Sequence, residues 1–191
     1  MPSWKKENLI FKETKMDIEA RKHPIGKAKF PSEYPDGLIR VMVNDFALLP
    51  ADLRAVAQSL TKKQKHSSYR DGGWTALQII HHIADSHCNA YTRLKLTLTE
   101  DHPTIKPYDE NLWASLEDGN SELIEPSLKM IEGVHERMTH TFNNMVAEDF
   151  ERRFFHPQQG ESRDLYWLLS LYHWHGRHHL GQIRVIQSLV S

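Results

Sequence analysis

The sequence has one cysteine, Cys88, among 191 residues, so it cannot form an internal disulfide, and a disulfide-stapled secreted scaffold is excluded. Its apolar stretches last about one helical turn, far short of the ~20 residues needed for a membrane-spanning helix. Neither charge dominates, with 24 Lys plus Arg against 25 Asp plus Glu and a formal net charge of −1. The long-range field that draws a protein to a polyanion is therefore missing, which argues against nucleic acid or an anionic membrane as a partner. Residues 1–6 lead into charged rather than apolar sequence, unlike a secretion signal, so the cytoplasm is the expected compartment. There is no internal repeat, low-complexity tract or series of strands. Histidine is what the chain has in excess, with 13 copies.

At this length one domain is expected, with a core large enough to spare a cleft. Residues 1–37 are mostly polar and end in a Pro-rich stretch, from His23-Pro24 to Tyr34-Pro35-Asp36-Gly37, which reads as an extended N-terminal arm packing along the domain formed by residues 38–191. From Leu38 to Leu60 apolar residues recur every three or four positions, predicting an amphipathic helix that Pro50 should kink or restart. Thr75 is placed to cap a long helix over Ala76 to Thr99. Pro103 and Pro107 enforce a loop from Asp101 to about Ser121, rich in aromatic and charged residues, which could form a lid. A third helix is expected from near Glu122 to Met145, with Pro126 tolerated in its first turn. Phe150 to Gly160 reads as an irregular or hairpin-like excursion, and a fourth helix follows from about Asp164 to Leu189. The fold class is all-α, a four-helix bundle.

Four histidines fall between His173 and His179. His175 and His179 are four apart, and at ~100° per residue their side chains differ by only ~40° around a helix, so both can reach one ion. Spacing alone is weak, because 13 histidines placed at random over the chain would give about one such pair by chance. Facing adds information. Taking His82 as the reference on the second long helix, Asp85, Ser86 and Asn89 lie within ~60° of it, while His81 is ~100° and His87 ~140° away. Around His175, Leu168, Leu171 and Gln182 share the face, His178 sits at its edge, and His173 and Arg177 point away. His82, His175 and His179 are thus the candidate metal ligands. The plainer reading makes them core histidines satisfied by hydrogen bonds. Against it, burying several imidazoles without a common partner costs ~1–3 kcal/mol each. Asp85 could accept a ligand N–H, or form an ordinary helix-surface ion pair. Cys88, ~120° from His82, is placed in the core.

Motifs running from His23-Pro24-Ile25-Gly26-Lys27 through Tyr69-Arg70-Asp71-Gly72-Gly73-Trp74-Thr75, His81-His82-Ile83-Ala84-Asp85-Ser86-His87 and Pro107-Tyr108-Asp109-Glu110 to Trp174-His175-Gly176-Arg177-His178-His179 carry a resemblance. The chain resembles the DinB-like superfamily, and within it is most similar to the YfiT-type group of metal-dependent hydrolases, some relatives of which are thiol S-transferases. The resemblance implies an up-down-down-up bundle, a homodimer, and one Zn or Ni ion per subunit held by His82, His175 and His179.

Three neutral imidazoles leave a divalent ion at least one open position, as catalytic rather than closed structural sites do. Such an ion can acidify water for hydrolysis or bind a low-molecular-weight thiol for attack on a small-molecule electrophile. Asp85 and Glu110 are the candidate acid–base groups. Tyr108, Trp113 and Arg70 are candidates for substrate binding, Arg70 through a carboxylate, and the 107–113 segment for closing over the site. His-x-x-x-His lacks the glutamate of a zinc peptidase motif. The alternative function is a non-catalytic metal-binding bundle using the surplus of histidines.

Overall fold

The computed structural model describes residues 18–190. Four long helices carry it: α1 (Asp36–Ser59), α3 (Ala76–Thr99), α5 (Glu125–Asn143) and α7 (Leu165–Leu189), with short helices α2 (Lys62–Lys65), α4 (Glu110–Ala114) and α6 (Ala147–Glu151) and a hairpin of β1 (Arg153–His156) and β2 (Glu161–Asp164) between them. Local chemistry sets the helix starts. Thr75 accepts from the Gln78 amide at 3.3 Å while the Gln78 side chain accepts from the Thr75 amide at 3.0 Å, a reciprocal cap that opens α3. Asp164 accepts from the Trp167 amide at 2.8 Å and opens α7.

Side-chain pairs across the bundle give the helix directions. Arg54 of α1 bonds Glu125 and Glu132 of α5, while Phe46, earlier in α1, stacks on His135 and meets Phe142, so α1 and α5 are antiparallel. Asp45 meets Arg177 and Ser59 meets Gln187, so α1 and α7 are parallel. His81 with Ser127 and Tyr91 with Arg137 make α3 and α5 parallel, whereas Arg93 with Tyr172 and His82 beside His179 make α3 and α7 antiparallel. The order is up-down-down-up. Each helix packs on two others, and α1 lies diagonally from α3. Parallel α3 and α5 oblige residues 100–124 to travel back along the bundle, and that return carries Tyr108 and Glu110 across one face.

The core is two apolar clusters. One gathers Leu49, Leu53, Ile79, Ile80, Ile83, Leu128, Ile131, Leu180 and Ile183; the other gathers Val43, Phe46, Ala90, Leu94, Met138, Phe142, Leu168 and Leu169. Each fully buried side chain of this kind contributes ~1.5–3 kcal/mol. The layer between the clusters is where His82, His87, His135, His175 and His179 sit.

Several expectations are revised. α1 runs through Pro50 without restarting. α5 begins at Glu125 rather than Glu122, because Pro126 fits only the first helical positions. The expected loop over 101–121 contains α4 and a 3-10 turn, Asp118–Asn120, and the hairpin is preceded by α6. The described part of the arm is helical over 18–22 rather than extended. Residues 22–34 follow α7 in the opposite direction: the Lys22 carbonyl accepts from Gln182, Pro24 abuts Gly181, the Gly26 carbonyl accepts from Trp174, and Phe30 and Tyr34 stack on Trp167 and Tyr166. The remainder of the arm, residues 1–17, lies outside the described residues. No helix among the described residues is long and apolar enough to cross a membrane.

Candidate metal centre

The one-turn spacing of His175 and His179 on α7 and the antiparallel approach of α3 bring His82 to them. One ring nitrogen from each lies within 4.8 Å of the others. His82 Nε2 and His175 Nε2 are 3.2 Å apart; two nitrogens bound tetrahedrally to one ion at ~2.1 Å stand roughly 3.4 Å apart. The donors therefore fit a divalent ion. All three rings line one cavity of about 610 Å³, together with Trp74, Ser86, Arg93, Tyr108, Glu110, His156 and Tyr172. The Trp74 ring lies 4.5 Å from that of His82, walling its outer face.

Hydrogen bonds fix which nitrogen of two of these rings faces the cluster. The Lys22 carbonyl can only accept, so the Gln182 atom 3.2 Å from it is the donating Nε2. Gln182 Oε1 is then left to accept from His179 Nδ1–H at 2.8 Å, leaving the lone pair of that ring on Nε2. A longer chain acts on His175. The Phe46 carbonyl accepts from His135 Nδ1–H at 2.8 Å, so neutral His135 accepts at Nε2 from His87 Nδ1–H, also at 2.8 Å. His87 in turn accepts at Nε2 from His175 Nδ1–H at 3.2 Å. The polarity is set by one backbone carbonyl and ends with an unprotonated His175 Nε2 toward the cluster. Burial favours the neutral form of the five rings His82, His87, His135, His175 and His179. It lowers His82 and His135 to about 4 and holds His87, His175 and His179 well below the ordinary imidazole value, the nearby histidines adding to the last three. Neutral imidazole is the form that binds metal.

Facing had pointed His87 away, ~140° from His82. It reaches the site because α7 lies beside that flank of α3 and α5 supplies His135, a convergence that one helix read alone does not reveal. Gly176 makes it possible: a Cβ there would overlap Leu49 Cδ2 and approach His87 Cε1 at 3.3 Å. On the far side of α7, Arg177 bonds Asp45 and Asp52, and His173 bonds Asp45.

The remaining candidates divide. Glu110 lines the cavity from its exposed position in the first turn of α4, where Asp109 accepts from the Asn111 and Leu112 amides. Tyr108 also lines it, with burial pushing its phenol up to about 12 despite a hydrogen bond with Ser86. Trp113 packs at a tilt against Tyr108, with ring centroids 4.5 Å apart, and is 40% exposed, behind the cavity wall rather than on it. Arg70 faces an adjoining cavity shared with Trp74, Glu110 and His179. Asp85 does not serve His175 or His179, whose N–H groups go to His87 and Gln182. It faces a different cavity with His81 and Asp118, and burial and the Asp118 charge raise its pKa. At ~60° from His82 it sat at the edge of the face, and the returning 114–121 segment covers that edge. His81 is a satisfied histidine, bonded to Ser127 Oγ and the Ser121 carbonyl. Cys88 is half-buried, not in the core.

Comparison with known proteins agrees with this architecture. The sequence profile of the DinB superfamily matches residues 45–183. A protein of Oceanobacillus iheyensis named "Putative metal-dependent hydrolase" is 45% identical over 162 residues, 85% of this chain and 93% of the relative. One of the same name from Geobacillus thermodenitrificans is 40% identical over 166 residues, 87% of this chain and 93% of the relative. Among solved structures, YfiT from Bacillus subtilis, described as "a probable metal-dependent hydrolase with an unusual four-helix bundle topology", superposes with a TM-score of 0.86 at 35% identity, covering 89% of this chain and 97% of that one.

Proposed function

Since this chain belongs to the DinB superfamily, we propose that it is a metal-dependent enzyme whose His82, His175 and His179 hold one divalent ion, Zn or Ni. The observation that carries this reading is the pair of hydrogen-bond chains behind the cluster, which leave Nε2 of His175 and of His179 without a proton, as acceptors within the cluster. A divalent ion on three imidazoles keeps an open position and acts there as a Lewis acid, lowering the pKa of a water or thiol.

The more specific reading is thiol S-transfer to a small electrophile. Its support is the arrangement of carboxylates: Asp85 faces another cavity and Glu110 is exposed at the mouth, so a buried carboxylate to act as base for water is missing from the described lining. A thiol, with its lower starting pKa, needs less help to lose its proton. In the transfer the thiol proton leaves, sulfur bonds the electrophilic carbon, and the leaving group departs with its electron pair. Trp74 and Tyr108 wall the cavity against bulk water, and Glu110 at the mouth can take the released proton outward. Hydrolysis uses the same ligands, with Glu110 as the base.

The test is to purify the protein without a metal-affinity tag, measure its ion content, and follow consumption of a reduced low-molecular-weight thiol with an alkyl or aryl halide. About one ion per chain with thiol consumption is expected, and His82→Ala, His175→Ala and His179→Ala should each abolish both while the bundle stays folded. One ion without thiol consumption leaves hydrolysis. Several weakly held ions and no turnover would instead mean a metal-binding protein without catalysis.

A further inference from the structure

Several arginines of this bundle are tied to carboxylates or backbone carbonyls. Arg54 bonds Glu125 and Glu132, Arg177 bonds Asp45 and Asp52, and Arg152 donates to the Thr97 and Glu100 carbonyls. Arg93 has no such partner, yet it is the one buried arginine among the described residues, at 9% exposure. Its Nη1 donates to the Tyr172 hydroxyl at 3.3 Å, its Nε is buried without a partner, and it forms no ion pair among the described residues. Removing a guanidinium from water without a counter-charge is costly, and such a group persists where something else supplies the charge.

Arg93 lines the same cavity as the three histidines and is the sole fixed cation among the lining residues. His156, brought in by β1, is also buried there, with its Nδ1 unpartnered. Arg93 follows His82 by eleven positions, so it shares the His82 face within ~20° and stands ~16 Å along α3. Its side chain leans back toward the helix start and shortens that span. Tyr172 bridges the remainder, its ring 5.6 Å from the ring of His175 and its hydroxyl on Arg93.

We propose that Arg93 is an anchor for a carboxylate on the substrate, held at the end of the cavity away from the histidines with His156 beside it. One guanidinium offers a planar fork that matches a carboxylate, and a single fixed cation suits one negative charge better than the two of a phosphate. The substrate class is then a small molecule with its reacting atom at the histidines and a carboxylate less than ~16 Å away. The anchor rests on the reading above only for which end reacts.

Metal-loaded full-length protein, with its ion content measured on the same sample, would be titrated with butyrate, with butyramide and with inorganic phosphate, following the Arg93 Nε–H resonance, assigned by its proximity to the Tyr172 ring. Butyrate should move that resonance and bind about tenfold or more tightly than butyramide, as a charge-assisted bond implies. In Arg93→Met that preference should vanish with the ion retained. A preference that survives in Arg93→Met would place the carboxylate on the ion and overturn the anchor. So would equal binding of acid and amide, or stronger perturbation by phosphate. If Arg93→Met does not fold, the wild-type resonance decides alone. An ion-loaded protein without carboxylate preference sinks this inference only, whereas a protein that takes up no ion sinks the reading of the site.

Discussion

His135 touches none of the three candidate ligands, yet its replacement by phenylalanine should weaken metal binding. The phenyl ring keeps the volume and the stacking on Phe46, whose ring centroid lies 3.8 Å away. It removes both 2.8 Å hydrogen bonds, stranding the Phe46 carbonyl and the His87 Nδ1–H in a site where His87 is fully buried. Two buried groups left unpaired cost about 2–6 kcal/mol of stability together. His87 can recover by shifting its proton to Nε2, but it then donates to His175 Nδ1 and drives the His175 proton onto the nitrogen meant for the ion. Loss of an outer partner of this kind weakens metal binding ~10–100-fold. The assay is a titration of the metal-free protein with Zn against a competing chelator, together with imidazole ¹⁵N spectra that report which nitrogen of each ring is protonated. His175 should be Nδ1-protonated in the wild type and not in His135→Phe. His135→Gln, whose side-chain oxygen can accept from His87, should restore both properties in part. Unchanged affinity and an unchanged His175 tautomer in the phenylalanine variant would refute the idea that the chain of imidazoles controls the ligand.

Two more perturbations test the same region. Gly176→Ala forces a methyl group into Leu49 and toward His87 and should cost ~1–3 kcal/mol in urea denaturation as well as weakening metal uptake; a change below ~0.5 kcal/mol would mean that α1 and α7 separate freely. Burial lowers His82 and His135 to about 4, so between about pH 4 and 6.5 the unfolded chain binds more protons than the native one and stability falls as pH falls. Metal-free protein should be less stable at pH 5 than at pH 7.5 by ~2 kcal/mol for each of these two residues, with a flat profile above pH 7. Denaturation midpoints that do not move between pH 7.5 and pH 5 would show these imidazoles to be solvated.

The four long helices and the three clustered histidines were legible because each leaves a periodic trace within one segment. Thr75 and Asp164 announce their helices, and His175 and His179 declare a shared face. What escaped depends on neighbours. Asp85 is turned away from the site by a returning segment that no helical wheel contains, and His87 is brought in by α5 and α7 rather than by its own angle. Arg93 was open to the same facing argument that selected His82 and Ser86, since it continues their stripe one turn beyond Asn89. The arm's antiparallel course along α7 follows from Gly181 and Gln182, whose roles as a groove for Pro24 and a bond to Lys22 require the partner chain segment to be in place.

The diagonal placement of α1 and α3 has a kinetic meaning. In an up-down-up-down bundle each helix docks on the one before it, and hairpins of neighbouring helices serve as early, local intermediates. Here α1 finds its contacts on α5 and α7, far along the chain, and the one pair of consecutive long helices in contact, α3 and α5, is parallel and joined by a long return. Contacts of such long sequence separation raise the entropic cost of the folding nucleus, so this bundle should fold more slowly than a helical protein of its size whose helices pair in order. The histidine cluster joins positions 82 and 175 and so belongs to the last contacts to form. A partly folded chain would therefore offer an ion at most the pair on α7, and tight binding would report that all four long helices have docked.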